Sequence, residues 1–146
     1  MKTKTIIIDI DGTIADDSHR QHFLKQEPKQ WKNYFDNCKH DKPIESMCNL
    51  VKMLEFHFNI VYCTGRPERL RAHTEAWLYL NNLPLSKLLM RTDKDTRQDT
   101  VIKPELIENE MLTPDNVEFI LEDRSCVVKK WRELGFKVLQ VAEGDY

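Results

Sequence analysis

Short runs of β-branched and apolar residues alternate with helical patterns along this sequence. The apolar runs predict strands over 5–10, 60–63, 88–91, 117–121 and 137–141. Helical periodicity covers 44–56, 67–81, 99–108 and 125–134. Because strands that alternate with helices form parallel βαβ units, the pattern predicts an α/β fold with a doubly wound parallel sheet.

The segment 16–43 interrupts this alternation. It separates the first strand from the next helix and carries the aromatic residues Phe23, Trp31, Tyr34 and Phe35. A segment of this length is unusual as a simple loop. We therefore predict short helices here, forming a small cap-like insert within a single domain over 1–146.

Composition limits the class of protein. The chain has 146 residues, 40% hydrophobic and 32% charged, with a formal net charge of -2, which is typical of a soluble domain. This charge argues against a non-specific clamp on a long nucleic-acid duplex, which needs a basic face. A small anionic substrate needs only a few local arginines.

Other segments bear on the compartment. No apolar run, that at 6–8 included, is long enough to span a membrane, and the N-terminus lacks a signal-peptide pattern. The four cysteines have no C-x-x-C spacing, so we expect neither zinc nor a disulfide framework. A cytoplasmic location and no membrane partner are the expectations.

Polar residues follow three of the predicted strands, in the sequences DIDGT, TGRPE and EDR. The carboxyl ends of parallel strands meet at one edge of a sheet, where ligands bind. We therefore expect these residues to form one site.

Asp9 and Asp11 form the most informative pair. One carboxylate can attack phosphorus, while a second can protonate the leaving oxygen and later deprotonate water. Phosphate and carboxylates repel each other, so a divalent cation such as Mg²⁺ must bridge them. The alternative is a solvated loop, which the apolar strand before Asp9 and the sequence Gly12-Thr13 after Asp11 make less favoured.

The other strand ends allow two interpretations each. Thr64 either donates to a phosphoryl oxygen or caps a helix. Arg66 either forks onto phosphate or lies on the surface. Glu122 and Asp123 either share a cation or cap the helix that begins at Ser125.

These residues together resemble the haloacid dehalogenase superfamily. DIDGT is similar to its first motif, YCTG to its second, Lys103 to its third and LED to its fourth. A closer likeness, over 5–15 and 44–146, is to the 3′-phosphatase domain of phage polynucleotide kinase and to small phage phosphatases of the same branch. The sequence contains no kinase G-x-x-x-x-G-K-[ST] motif.

The resemblance implies a role for each matching residue. Asp9 would be the nucleophile and Asp11 the acid/base, with Thr64 and Lys103 holding the phosphate. Mg²⁺ would be bound by the Asp9 carboxylate, the Asp11 main-chain carbonyl and Asp123. The family often has two aspartates where this chain has Glu122-Asp123, and the longer glutamate suits a water-mediated contact. Expected substrate contacts are Gly12, Thr13, Trp31, Gly65, Arg66, Arg91 and Arg97. Trp31, Tyr34 and Phe35 either stack on a base of the substrate or simply pack within a small cap.

The resulting hypothesis is a Mg²⁺-dependent phosphatase for nucleic-acid or nucleotide 3′-phosphates, acting in the host cytoplasm if the chain comes from a phage. A mononucleotide phosphatase is the alternative, favoured by the small size and the lack of a basic stripe. A second alternative is a non-catalytic binding module on the same fold. The sequence leaves the oligomeric state open.

Overall fold

The structure is a computed structural model that describes residues 4–146. The predicted domain begins at residue 1, and residues 1–3 lie outside the described residues. The strands are β1 (Thr5–Ile8), β2 (Ala15–Asp16), β3 (Lys42–Pro43), β4 (Asn59–Pro67), β5 (Lys87–Arg91), β6 (Val117–Arg124) and β7 (Val138–Gly144). The α-helices are α1 (Trp31–Asp36), α2 (Glu45–Leu54), α3 (Arg71–Leu80), α4 (Asp99–Asn109) and α5 (Ser125–Glu133).

A five-stranded sheet, in the order β5-β4-β1-β6-β7, forms the centre of the molecule. All of its neighbouring strands are parallel. The strand order reverses at β1, which pairs with β4 on one side and β6 on the other. The predicted doubly wound parallel sheet is therefore confirmed, and a ligand site is expected at the carboxyl ends of β1 and β6.

Alternate residues of β1 supply the cores on the two faces of the sheet. Ile6 and Ile8 belong to one buried cluster, which also contains residues of α2, α3 and the 16–43 segment. Ile7 belongs to the other, with residues of α4 and α5. Burial on both faces explains why β1 contains three consecutive isoleucines. It also fixes the position along the strand at which the following residues leave the sheet.

Two strands run further than their apolar residues predicted. The sequence suggested that they end at Cys63 and Leu121, whereas β4 continues to Pro67 and β6 to Arg124. Their pairing with neighbouring strands changes register over these extensions. Apolar periodicity does not detect them because most of the added residues are polar, although nearly all of them are buried.

Two further boundaries were predicted incorrectly. The predicted helix over 67–81 begins later, because Pro67 is still extended and a single 3₁₀ turn over Glu68–Leu70 precedes α3. The first predicted strand, 5–10, ends at Ile8, because the chain enters a turn that returns the Ala15 N–H to the Ile10 carbonyl at 3.0 Å.

The 16–43 segment runs from the last residue of β2 through β3, and these two strands pair antiparallel and bring its ends together. It contains α1 and two 3₁₀ segments, Ser18–Lys25 and Cys38–His40. Leu24, Tyr34 and Phe35 from this segment pack into the same cluster as β1. Its role as a cap stays a prediction. Across residues 4–146, none of the helices combines the length and apolar character that crossing a membrane requires.

Candidate active site

Asp9 lies directly beyond β1, where its N–H still donates to the Leu121 carbonyl of β6 at 3.0 Å. Its side chain is buried, and its two oxygens have different partners. Oδ1 accepts from Lys103 Nζ at 2.8 Å, and Oδ2 accepts from the Thr13 hydroxyl at 2.9 Å. Both contacts hold the carboxylate in one orientation at the carboxyl edge of the sheet.

Three acidic side chains converge at this edge. Asp9, Glu122 and Asp123 are all buried and offer carboxylate oxygens that lie within 4.8 Å of one another. Burial, followed by the charge of Asp9, raises the pKa of both Glu122 and Asp123 well above the usual range. Such a cluster carries more negative charge than one lysine can balance, so it suits a cation.

Lys103 reaches this acidic cluster from α4, which packs on the face of the sheet that contains Ile7. It extends from α4, is 2% exposed, and its Nζ donates to Asp9 and to Glu122 Oε2, each at 2.8 Å. Burial alone would lower the pKa of Lys103, but Asp9 and Glu122 outweigh it and raise that pKa above its usual range. The lysine is therefore a fixed positive charge beside Asp9.

Gly12 allows the turn after Asp11 to approach the acidic cluster. Its φ of +79° is in the left-handed region, and a Cβ there would lie only 2.2 Å from Asp123 Oδ2. Thr13 follows it and is fully buried, with its hydroxyl 3.3 Å from Asp123 Oδ1 as well as close to Asp9. The DGT sequence thus brings the ends of β1 and β6 into contact.

Asp11 is paired with two buried arginines. Its Oδ1 accepts from Arg20 Nη2 at 2.5 Å and from Arg66 Nη2 at 2.7 Å. Burial would raise the pKa of Asp11, but Arg66 and Arg20 together outweigh it and hold that pKa below its usual range. Arg66 is 0% exposed, which rules out the interpretation of a surface arginine.

Sequence reasoning missed two members of this network. Arg20 and Asp41 both belong to the 16–43 segment, and Arg20 Nε donates to Asp41 Oδ1 at 2.9 Å. Asp41 also accepts from Arg66 Nη2 at 3.2 Å. No spacing rule links these residues to Asp11, because the folding of the segment over the sheet brings them together.

Thr64 and Gly65 lie within β4 rather than at its end. Thr64 is fully buried and accepts from the Arg66 N–H at 3.1 Å, so the interpretation of a helix cap is wrong. A Cβ at residue 65 would lie 2.5 Å from Asp99 Oδ1. Asp99, the first residue of α4, is a further site residue that sequence reasoning missed, and only its position at a helix N-terminus could have suggested it.

Glu122 and Asp123 do not cap α5. Both are part of β6, Arg124 occupies the N-cap position, and α5 has no side-chain capping hydrogen bond. Glu122 Oε1 accepts only a long 3.4 Å contact from the Arg124 N–H. The two acids therefore face the end of β1, as the metal-binding interpretation requires.

Two adjoining concave regions lie at this edge of the sheet. A narrow cavity of about 20 Å³ is lined by Asp9, Asp11, Gly65, Lys103, Glu122 and Tyr146, together with Trp31, Tyr34, Phe35, Asp99 and Arg124. A groove of about 650 Å³ adjoins it and shares the lining residues Trp31, Phe35, Asp99 and Arg124. The groove, not the narrow cavity, has room for a nucleotide.

Arg91 and Arg97 line the groove and not the narrow cavity. Arg91 is engaged by the Gly65 carbonyl at 2.7 Å and by the Asp99 carboxylate. Arg97 is exposed to solvent and pairs with Asp95 and Glu105. Neither guanidinium reaches Asp9, so the structure separates them from the acidic cluster.

Trp31 lies at the junction of the two regions. Its ring stacks on Phe35, with centroids 5.8 Å apart, and the Arg124 guanidinium lies 5.0 Å from its centroid. The ring is partly exposed, whereas Tyr34 is buried and donates its hydroxyl to Asp17. Of the three aromatic residues on α1, Tyr34 and Phe35 are buried in the core. Tyr34 lines only the narrow cavity, whereas Trp31 and Phe35 line both regions.

A family match decides the relationship of this chain to known proteins. The model of the family described as "Polynucleotide kinase PNKP phosphatase domain" matches residues 3–146. The chain belongs to this family. The resemblance to haloacid dehalogenase phosphatases is thereby confirmed, and the PNKP phosphatase domain is a phosphoric monoester hydrolase.

Three relatives show the range of the likeness. A candidate bifunctional polynucleotide kinase/RNA ligase of Autographa californica nuclear polyhedrosis virus is 29% identical over 136 residues, 90% of this chain. A chain of the Pnkp1/Rnl/Hen1 RNA repair complex is 30% identical over 99% of this chain, with a TM-score of 0.84. A haloacid dehalogenase-like hydrolase of Streptococcus pneumoniae shares the fold, at 12% identity over 94% of this chain and 83% of its own, with a TM-score of 0.69.

The first two relatives are longer than this chain. The chain spans 18% of the viral protein and 44% of the chain in the repair complex. The likeness therefore concerns only a part of each of these two relatives.

Proposed function

We propose that this PNKP phosphatase domain removes the phosphate from 3′ ends of polynucleotides, with Asp9 as nucleophile and Mg²⁺ as cofactor. The observation that carries the proposal is the position of Asp9 between the Lys103 ammonium and the Glu122–Asp123 pair, at the carboxyl edge of the central strand. The family match supports the polynucleotide as substrate.

The residues present fit a divalent cation. Three buried carboxylates offer oxygens within 4.8 Å of one another, and these are the donors that Mg²⁺ prefers. Asp9 and Asp123, with the Asp11 main-chain carbonyl, would hold the ion, while Glu122, already paired with Lys103, would act through water. The bound ion would neutralise the repulsion between the phosphate and these carboxylates.

The side chains then divide the chemistry between them. An Asp9 oxygen bonds to phosphorus while the ester oxygen leaves, taking a proton from Asp11. A water molecule next gives its proton back to Asp11, attacks phosphorus and frees Asp9. Lys103 keeps a positive charge beside the phosphoryl oxygens throughout, and Thr64 is the proposed neutral donor to them.

The metal assignment predicts a difference between the two adjacent acids. EDTA is expected to inactivate the enzyme and Mg²⁺ to restore it. Asp123→Ala should raise the Mg²⁺ concentration for half-maximal turnover by about 10- to 100-fold. Glu122→Gln should raise that concentration less, because the loss of a direct ligand weakens binding more than the loss of a water-mediated one. Titration of turnover with Mg²⁺ measures both variants, and the reverse order would show that the two acids have exchanged roles.

The groove beside the catalytic cavity supports an extended substrate. Its volume of about 650 Å³ accommodates a nucleotide, and it shares the lining residues Trp31 and Arg124 with the narrow cavity that contains Asp9. Lys29, Lys32 and Arg69 also line it, so backbone phosphates have cationic partners there. The chain has a net charge of -2, and acidic residues lie on the same wall of the groove, so it can neutralise few backbone phosphates. We therefore propose contacts with only the terminal one to three nucleotides.

Removal of the Trp31 ring tests this substrate. Trp31→Ala is expected to lower kcat/KM for a short oligonucleotide 3′-phosphate by roughly 5- to 150-fold, the equivalent of about 1–3 kcal/mol of base stacking. Turnover of a nitrophenyl ester, which has no base, should change less. Trp31→Phe is the matched control, because it keeps an aromatic face above Phe35.

The choice of oligonucleotides makes this experiment decisive. DNA and RNA ends should both be tested, since one relative belongs to an RNA repair complex. Lengthening the substrate beyond a few nucleotides should change kcat/KM little. Efficient hydrolysis of mononucleotides with no turnover of oligonucleotides would instead establish the mononucleotide phosphatase and make the 16–43 segment a lid.

A further inference from the structure

The Asp123 carboxylate is restrained from several sides. Its Oδ1 lies 3.3 Å from the Thr13 hydroxyl, and the Cα of Gly12 packs against Oδ2 so closely that a Cβ would be 2.2 Å away. The shortest contact comes from Tyr146, whose hydroxyl donates to Oδ2 at 2.9 Å. Tyr146 lies outside the four superfamily motifs, although it is the last residue of the span 44–146 that carries the closer likeness.

Tyr146 is itself held in place by two contacts with Arg124. The Arg124 guanidinium lies 5.2 Å from the centroid of the Tyr146 ring, and its Nε donates to the Tyr146 main-chain oxygen at 2.6 Å. The neighbouring residue is also fixed, because the Ser125 hydroxyl donates to the Asp145 carboxylate at 2.9 Å. The orientation of the Tyr146 hydroxyl toward Asp123 is therefore set by several independent contacts.

Arg124 connects this tyrosine to the substrate side of the site. The same guanidinium lies 5.0 Å from the centroid of Trp31 and donates to Asp99 Oδ2 at 3.2 Å. Arg124 thus lies between Trp31 and Tyr146, at the boundary between the narrow cavity and the groove. A planar guanidinium suits this position because it stacks on aromatic rings and donates in its own plane.

We propose that Tyr146 is a positioning residue for the metal site. Its hydroxyl holds the Asp123 carboxylate in the orientation that faces Asp9, and Arg124 holds the tyrosine. The inference rests on the proposed function, because it takes Asp123 to be a direct Mg²⁺ ligand. Partners that orient a metal ligand raise metal affinity by reducing the freedom that the ligand loses on binding.

The test is a calorimetric titration of Mg²⁺ into the protein without substrate. Tyr146→Phe removes only the hydroxyl and keeps the ring against Arg124, and we expect the Kd for Mg²⁺ to rise about 10-fold. Tyr79→Phe, at an exposed tyrosine of α3, is the matched control and should leave the Kd unchanged.

Two further variants make the result unambiguous. Arg124→Lys removes the stacked guanidinium but keeps the tyrosine, and it should also raise the Kd for Mg²⁺. This variant keeps the proposal testable if Tyr146→Phe folds poorly. Asp123→Ala tests the metal site itself. An unchanged Kd in Asp123→Ala would overturn the proposed function, whereas a raised Kd there with an unchanged Kd in Tyr146→Phe would overturn only the role of Tyr146.

Discussion

Replacement of Asp9 by asparagine is expected to abolish phosphatase turnover, with a loss on the order of 10⁴- to 10⁶-fold, the range found when a catalytic nucleophile or its partner is removed. An amide oxygen is a poor nucleophile and a weaker metal ligand than a carboxylate. The substitution preserves the shape of the side chain, so the Thr13 hydroxyl keeps an acceptor or donor at 2.9 Å. The loss should therefore be chemical rather than structural.

The surroundings of Asp9 explain why the fold should survive this change. Removal of its charge leaves Lys103 paired with Glu122 at 2.8 Å, so no buried ammonium is left alone. It also relieves the repulsion between Asp9 and Asp123. This repulsion is the second cause, next to burial, of the raised pKa of Asp123 in the wild type. The thermal unfolding midpoint of Asp9→Asn without metal should therefore not fall below that of the wild type.

Two substrates and one control variant complete the measurement. Turnover of a nitrophenyl ester and of an oligonucleotide 3′-phosphate should be lost together, because both need the same nucleophile. Asp115→Asn, at an exposed position outside the site, should retain full activity. Turnover like that of the wild type in purified Asp9→Asn would remove Asp9 from the role of nucleophile.

The sheet was predictable because its signal is local. The isoleucine run of β1 is buried on both faces, and a strand of that kind must lie at the centre of a parallel sheet. Once the strands are parallel, their carboxyl ends lie at one edge, so residues far apart in sequence come together. This reasoning brings Asp9, Glu122 and Asp123 into one cluster without knowledge of the strand order.

The rest of the site depends on contacts between segments that have no shared periodicity. Arg20 and Asp41 are charged residues of the 16–43 segment, and a charged residue in such a segment ordinarily predicts exposure. They are buried because each neutralises the other and because Asp11 and Arg66 extend the same network. Pairwise charge compensation across the fold cannot be read from the spacing of residues along the chain.

The same network makes Asp11 the most informative residue to change after Asp9. A general acid must carry a proton, yet Arg66 and Arg20 hold the pKa of the Asp11 carboxyl below its usual range in this arrangement. The proposed role therefore requires substrate binding to separate the carboxyl from at least one guanidinium. Because both Asp11 and Asp9 line the narrow cavity, the phosphate would enter beside them.

Asp11→Asn should consequently reduce turnover by about 10²- to 10⁴-fold for an ester with a poor leaving group, the contribution expected from general acid–base catalysis. A nitrophenyl ester, whose leaving group departs without a proton, should lose less. Metal binding through the Asp11 main-chain carbonyl should persist, which calorimetry can check. Equal losses for the two esters would mean that Asp11 acts by holding Arg20 and Arg66 rather than by transferring a proton.

Asp41→Asn separates these two possibilities. Asp41 pairs with the same arginines, through Arg20 Nη2 at 2.5 Å and Arg66 Nη2 at 3.2 Å, but it does not line the narrow cavity. Removal of one partner from a buried ion pair costs about 3–5 kcal/mol, so both variants are to be assayed well below their unfolding midpoints. If Asp11 transfers the proton, only Asp11→Asn will show a loss that grows as the leaving group becomes poorer, while Asp41→Asn will affect both esters alike.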